Sequence, residues 1–270
     1  MAKAPRAGLA KTRLIPALGA EGAAALARAF IADRAALARS AGVAVRVLAA
    51  PAEATGELAA LTDLPALAQG EGDLGARIAA AFATLFAQGF GPVLLIGADS
   101  PTLPPSHLHT ALALAATRPE AVVLGPAADG GYWCVGLSRA MPGLFEAIAW
   151  STASVLAETE RRAGEVGLAV VRAPAWHDVD EPADLDRLHE DLRRDPAAAP
   201  HTRALLAALA TRRGALERAP ALDDRAHMPR AGRAPCPHPT SPVRPNRAPS
   251  PRSSGRSGRR PACAPASPRP

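Results

Sequence analysis

Residues 92–97, Pro-Val-Leu-Leu-Ile-Gly, form an apolar run too short for a helix and without polar alternation. Such a run fits a strand covered on both faces, which requires a sheet with layers on either side. Longer segments with helical spacing alternate with short apolar runs along the chain. This predicts an α/β fold, a mostly parallel sheet with helices on both faces. Helices are expected at Glu21–Ala41, Asp73–Gln88, Pro104–Ala116, Pro182–Arg193 and Thr202–Arg212. A further helix, capped by Ser151 or Thr152, runs to about Ala163. Strands are expected at Val43–Leu48, Pro92–Gly97, Val122–Gly125, Tyr132–Leu137 and Leu168–Arg172. The first helix carries Leu26, Phe30 and Leu37 on one face, and Asp33 interrupts that stripe.

A doubly wound sheet that binds a nucleotide leads with a strand into its first glycine-containing loop. Here only Met1 and Ala2 precede Lys3. The first strand is therefore expected to be truncated, with the true start upstream.

Charge is unevenly distributed. Residues 1–210 hold 18 Lys and Arg against 22 Asp and Glu, whereas residues 211–270 hold 13 Arg against 3 acids. The high isoelectric point thus belongs to the C-terminal stretch and gives no reason to expect nucleic-acid binding by the body. That stretch also holds 13 of the 28 prolines. Residues 1–212 are read as the folded domain and 213–270 as a disordered basic tail. The tail is either a non-functional extension or an arm for nucleic acid or a membrane surface. Cys134 is the sole cysteine of the body, so neither a disulfide framework nor a zinc spacing is available. This fits a reducing, cytoplasmic compartment. No apolar run reaches the roughly 18–20 residues of a membrane span, and the N-terminus lacks a secretory apolar segment.

Four segments carry candidate chemistry. The first is Lys3-Ala-Pro-Arg-Ala-Gly8-Leu-Ala-Lys11-Thr-Arg13, where a glycine permits close approach and clustered cations can neutralise a diphosphate. Both lysines of the chain, Lys3 and Lys11, lie here, against 29 arginines in all. The glycine spacing excludes a Walker A loop. The second is Gly97-Ala-Asp99-Ser100-Pro: a carboxylate directly after a buried strand sits at the sheet's carboxyl edge, where open α/β folds bind ligands. Asp is a hard oxygen ligand suited to Mg²⁺ or Mn²⁺, although Asp99 or Ser100 can equally cap a turn. The third is Asp129-Gly130-Gly131-Tyr132-Trp133, an ordinary turn in outline that places a carboxylate beside aromatics able to seat a sugar or acceptor. The fourth is His177-Asp178-Val-Asp180-Glu-Pro182. Alternation puts Asp178 and Asp180 on one side, with Asp180 assigned to capping the next helix and Asp178 to a metal. Lesser candidates are Asp73, Gly75 and Arg77, and Trp150-Ser151-Thr152.

In this order KAPRAGLAKTRL, GEGDLGARIAAAF, GADSPTLP, GPAADGGYWCVGL, WSTASVLAET and DVDEPADL resemble a bacterial family of GT-A-like proteins over residues 1–195. Its members are commonly labelled glycosyltransferases of the arsenosugar-biosynthesis type. The family is also similar to the molybdenum-cofactor and phospholactate guanylyltransferases. The resemblance implies a metal-dependent transferase using a nucleotide sugar or nucleoside triphosphate and a small-molecule acceptor. It implies that Lys11 and Arg13 bind the nucleotide phosphates, with Gly8 allowing approach. Asp73 and Arg77 would lie near the nucleotide, Asp99 and Asp178 would hold the metal, and Asp129 and Trp133 would lie near the acceptor. Asp99, Lys11 and Asp129 would carry catalysis. The short start and the basic tail depart from the family pattern. Nucleotidyl transfer with release of pyrophosphate, and nucleotide binding without catalysis, remain as rival readings.

Overall fold

A computed structural model describes residues 1–218, within a compact unit that spans Met1–Ala219. Of the tail predicted over residues 213–270, residues 213–218 are helical and the rest lies outside the described residues. The elements run β1 (Ala2–Lys3), α1 (Ile15–Ser40), β2 (Val47–Ala50), α2 (Thr55–Thr62), β3 (Ala66–Ala68), α3 (Leu74–Ala87) and β4 (Val93–Ile96). They continue α4 (Pro105–Thr117), β5 (Ala121–Pro126), β6 (Tyr132–Leu137), α5 (Val155–Glu165), β7 (Ala169–Arg172), α6 (Asp184–Arg194) and α7 (Pro200–Arg218).

Strands β1, β2 and β3 pair in parallel, in that order. Strands β4, β6, β5 and β7 form a second ladder in which β6 is antiparallel to both neighbours and β5 and β7 are parallel. The Met1 amino group donates to Ile96 O at 2.6 Å, which brings the start of β1 beside the end of β4. The first strand is thus present, but short. Two residues suffice for pairing because Ala2 and Lys3 register against Ala49 and Ala50. Buried Gln69 reinforces the join by donating to Ala2 O and Leu48 O.

Helix α3 shows how the pattern becomes packing. Ile78, Phe82 and Leu85 fall on one face and are buried. The Phe82 ring stacks with Phe86 at 5.9 Å and Phe145 at 5.8 Å. In α1, Gly19 takes a left-handed φ of 72° and kinks the helix. Beyond the kink, Leu26 and Phe30 are buried against Val179, Leu188 and Leu192. Asp33, the break in the apolar stripe, is 4% exposed and accepts from His201 N, Thr202 N and Thr202 Oγ1. It caps the first turn of α7 from another helix, satisfying backbone donors that α7 itself cannot pair. The segment Thr12–Ser40 is, by length and composition, apolar enough to cross a membrane, contrary to expectation, and half of its most apolar window is buried inside the fold.

Candidate active site

The carboxyl ends of β1 and β4 open into a cavity of about 760 Å³. Its walls come from the loop after β1, the turn after β4, the β5–β6 turn, the segment before α5 and the segment before α6. Adjacent strands whose chains depart in different directions leave such a crevice, and its volume suits a nucleotide-sized ligand.

Lys11 reaches the cavity from a left-handed backbone (φ 47°, ψ 46°), an uncommon state for a residue with a Cβ. Its side chain is only 7% exposed. Nζ lies 2.5 Å from Asp99 Oδ1, 2.6 Å from Asp180 Oδ1 and 2.7 Å from Val179 O. Burial alone would lower the Lys11 pKa, but Asp99 and Asp180 outweigh it and hold the ammonium above its ordinary value. A backbone bond from Val179 N to Asp99 O ties the same two segments together at 2.9 Å. Arg13, by contrast, stands on the rim, 66% exposed, with its nearest acid Glu181 at 3.4 Å. Gly8 takes a φ of 74° in the loop leading to Lys11 and lies outside the cavity wall.

Four aspartates, Asp99, Asp129, Asp178 and Asp180, line the cavity. Asp178 and Asp180 share a side, as alternation predicts, while Val179 between them is buried in the core. Burial pushes the Asp178 carboxyl up to about 6, and the charges of Asp129, Asp180 and Asp99 push in the same direction. Among the described residues no three His, Cys, Asp or Glu side chains converge as a ready-made metal cluster. The donor set still suits Mg²⁺ or Mn²⁺, which is held by one or two carboxylates with waters and substrate phosphates completing the shell. A cation there would relieve the repulsion on Asp178.

Asp129 also shapes its own turn, accepting from Gly131 N at 2.8 Å. Gly130, at φ 88°, lies so close to Ala153 that any side chain would run into the Ala153 backbone. The β5–β6 turn and the segment before α5 therefore form one continuous wall. Trp150 and Ser151 belong to that wall, and a Cβ on Gly75 of α3 would approach Trp150 Nε1 to 2.6 Å. Glu158 fastens the segment by accepting from Ala149 N at 2.7 Å and Ser154 Oγ at 2.5 Å.

Several expectations need correction. Trp133 borders the cavity but is 3% exposed, and its indole N–H is engaged by Pro174 O at 3.0 Å. Trp150 and Tyr132, both half-buried, line the same cavity. Asp180 does not cap the next helix, because its carboxylate is taken by Lys11. No side chain caps α6; Asp184, its first residue, instead reaches back and accepts from Asp180 N and Glu181 N in the turn before it. Neither Ser151 nor Thr152 caps α5, which begins at Val155 after Ser154. Asp73 and Arg77 lie beyond the cavity wall. Asp73 caps α3 through Ala76 N at 2.8 Å, and Arg77 donates to Asp73 O at 3.2 Å. His177 turns away from Asp178 and lies 2.7 Å from buried Asp191, which also accepts from Thr102 Oγ1.

Residues 31–152 match DUF2064, a family of uncharacterized proteins conserved in bacteria. The matched span includes Asp99 and Asp129 and leaves out Lys11 and Asp178. No curated protein matches the chain. Among solved structures, an inferred nucleotide-diphospho-sugar transferase of Desulfovibrio desulfuricans G20 is similar at 29% identity and a TM-score of 0.70. The likeness covers 78% of this chain and 94% of that one, so the whole α/β layout is shared. The inositol-1-phosphate CTP transferase of T. maritima is far more distant, at 14% identity and a TM-score of 0.44 over 68% of this chain and 91% of that one.

Proposed function

We propose that this chain is a metal-dependent transferase that takes a nucleotide-activated sugar and glycosylates a small-molecule acceptor in the cavity at the ends of β1 and β4. The observation that carries the reading is that one cavity gathers both signs of charge: Lys11 and Arg13 from one loop, Asp99 and Asp180 paired with Lys11, and Asp129 and Asp178 on the same wall. A sugar nucleotide needs both, cations for its diphosphate and hard oxygens for its metal. The similarity to an inferred nucleotide-diphospho-sugar transferase supports the same choice.

In this reading Asp99 and Asp178 hold the divalent cation. When bound, that ion neutralises the diphosphate and stabilises the charge that develops as the nucleoside diphosphate leaves. Arg13 on the rim meets the phosphates as the donor enters, and Lys11 adds a second cation from within. The wall formed by Asp129, Gly131 and Trp150 is the side from which an acceptor hydroxyl attacks the anomeric carbon. Asp129 is placed there to receive the proton that the hydroxyl loses.

The test is a panel of nucleotide sugars and nucleoside triphosphates, each with and without Mn²⁺, read by thermal shift and product analysis. Metal-dependent stabilisation by a nucleotide sugar, with nucleoside diphosphate released in the presence of acceptor, is the expected result. Asp99→Asn should remove the metal-dependent part of that stabilisation while the apo protein stays folded. Release of pyrophosphate from a triphosphate would instead make the chain a nucleotidyltransferase. Binding without turnover of either class would refute catalysis.

A further inference from the structure

We infer that Lys11 is a tethered counter-cation occupying the place of the metal, and that a divalent ion enters by displacing its ammonium from Asp99. The inference rests on the metal-dependent reading above. It makes phosphate binding by Lys11 conditional on the metal.

The argument begins with the ammonium's three donors. Lys11 Nζ has Asp99 Oδ1 at 2.5 Å, Asp180 Oδ1 at 2.6 Å and Val179 O at 2.7 Å, so each N–H has a partner and none is left for a phosphate. The side chain is 7% exposed, whereas the Asp99 side chain is 51% exposed and reachable from the cavity. A divalent ion of the Mg²⁺ type sits about 2.0–2.1 Å from a carboxylate oxygen. With the ammonium at 2.5 Å from Asp99 Oδ1, a divalent ion taking that oxygen would meet strong repulsion, which is relieved when the ammonium moves away.

The geometry also provides for the departure. Lysine has an unbranched, flexible stem, and Lys11 stands on the cavity wall beside Thr12 and Arg13. Once released from Asp99, its ammonium can turn toward the open cavity, where a diphosphate bridged to the metal would lie. Lys11 pairs with Asp99 and Asp180 but not with Asp178, which also lines the cavity and is left for an incoming cation. The apo site is thus held together by an internal lysine, and loading converts that lysine from a strut into a phosphate ligand. Arg13, 66% exposed, can meet phosphate in either state.

Two measurements on the full chain decide the matter. Mn²⁺ binding by electron paramagnetic resonance is compared for wild type, Lys11→Met and Arg118→Met, the last an exposed cation that does not line the cavity. Removing a like charge from the site should tighten Mn²⁺ binding about tenfold or more in Lys11→Met, and Arg118→Met should bind as wild type. Equal or weaker binding in Lys11→Met overturns the inference while leaving the metal reading standing. Failure of both wild type and Lys11→Met to bind Mn²⁺ overturns both. The second measurement needs only wild type and so does not depend on the variant folding. Lys3 and Lys11 are the only lysines, and Lys3 is exposed. Acetic anhydride labelling, read by peptide mass spectrometry, should be slow at Lys11 relative to Lys3 without metal. It should rise about tenfold once Mn²⁺ saturates the site. Unchanged Lys11 labelling with Mn²⁺ bound overturns the inference.

Discussion

Asp178→Asn should stabilise the metal-free protein, and the gain should depend on pH. In the folded chain, burial and the charges of Asp129, Asp180 and Asp99 raise the Asp178 carboxyl from 3.8 to about 6. A carboxyl raised on folding disfavours the folded state once ionised. The stability it contributes is fully present below its unfolded value and is lost as pH rises toward the folded value. The difference between the two values sets a ceiling of about 3 kcal/mol. Asp178 is only half-buried, so solvent screening reduces the expected effect to about 1 kcal/mol. For a domain of this size that amounts to roughly 2–4 °C in Tm. Calorimetry or dye-based melting in a metal-free buffer from pH 4 to pH 8 reads it directly. Wild type and Asp178→Asn should melt together near pH 4, diverge between pH 4 and 6, and stay apart above pH 6 with the variant higher. A constant offset across pH, or a less stable variant at pH 7.5, would refute the electrostatic account. Saturating Mn²⁺ should then close the gap, because the ion neutralises wild type but finds a weaker ligand set in the variant.

Asp33→Ala leaves two buried donors, Thr202 N and Oγ1, and the part-buried His201 N without their acceptor, and should cost about 2–4 kcal/mol in urea unfolding; an unchanged midpoint would show that α7 does not depend on this cap. Gly130→Ala forces a side chain into the Ala153 backbone, so ligand affinity in the thermal-shift panel should fall more sharply than Tm. Trp133→Phe removes the N–H that Pro174 O accepts and should lower stability by about 1 kcal/mol with ligand binding intact. A selective loss of acceptor binding would instead restore Trp133 to the site.

The sequence is most legible where period and length act together. The stripe Leu74, Ile78, Phe82, Leu85 identifies α3, and the expected bounds of β6 match its observed bounds because Tyr132–Leu137 stands between a glycine turn and Ser138. Helix α2 and strand β3 escape notice for physical reasons. Thr55–Thr62 is two turns long with little amphipathic contrast, and Ala66–Ala68 has no β-branched or aromatic side chain to mark a strand. Asp33 reads as a flaw in an apolar stripe until α7, 168 residues away, is folded against it. The same applies to Lys11: composition singles it out, but its pairing with Asp99 and Asp180 depends on segments 88 and 169 residues away. Trp133 misleads in the opposite direction. Rarity draws attention to an aromatic, yet burial decides what it does.

The close approach of Gly130 to Ala153 has a consequence for descent. Two loops from different parts of the chain share one space without any side chain between them. A side chain at Gly130 cannot be added alone, so such a change should be inherited with a shift in the backbone at Ala153. In a diverged relative, a residue other than glycine at the position of Gly130 should coincide with a shortened or displaced loop at that of Ala153. Relatives that alter both together would have moved the same wall of the cavity, and such paired changes would mark lineages that have turned to a different acceptor.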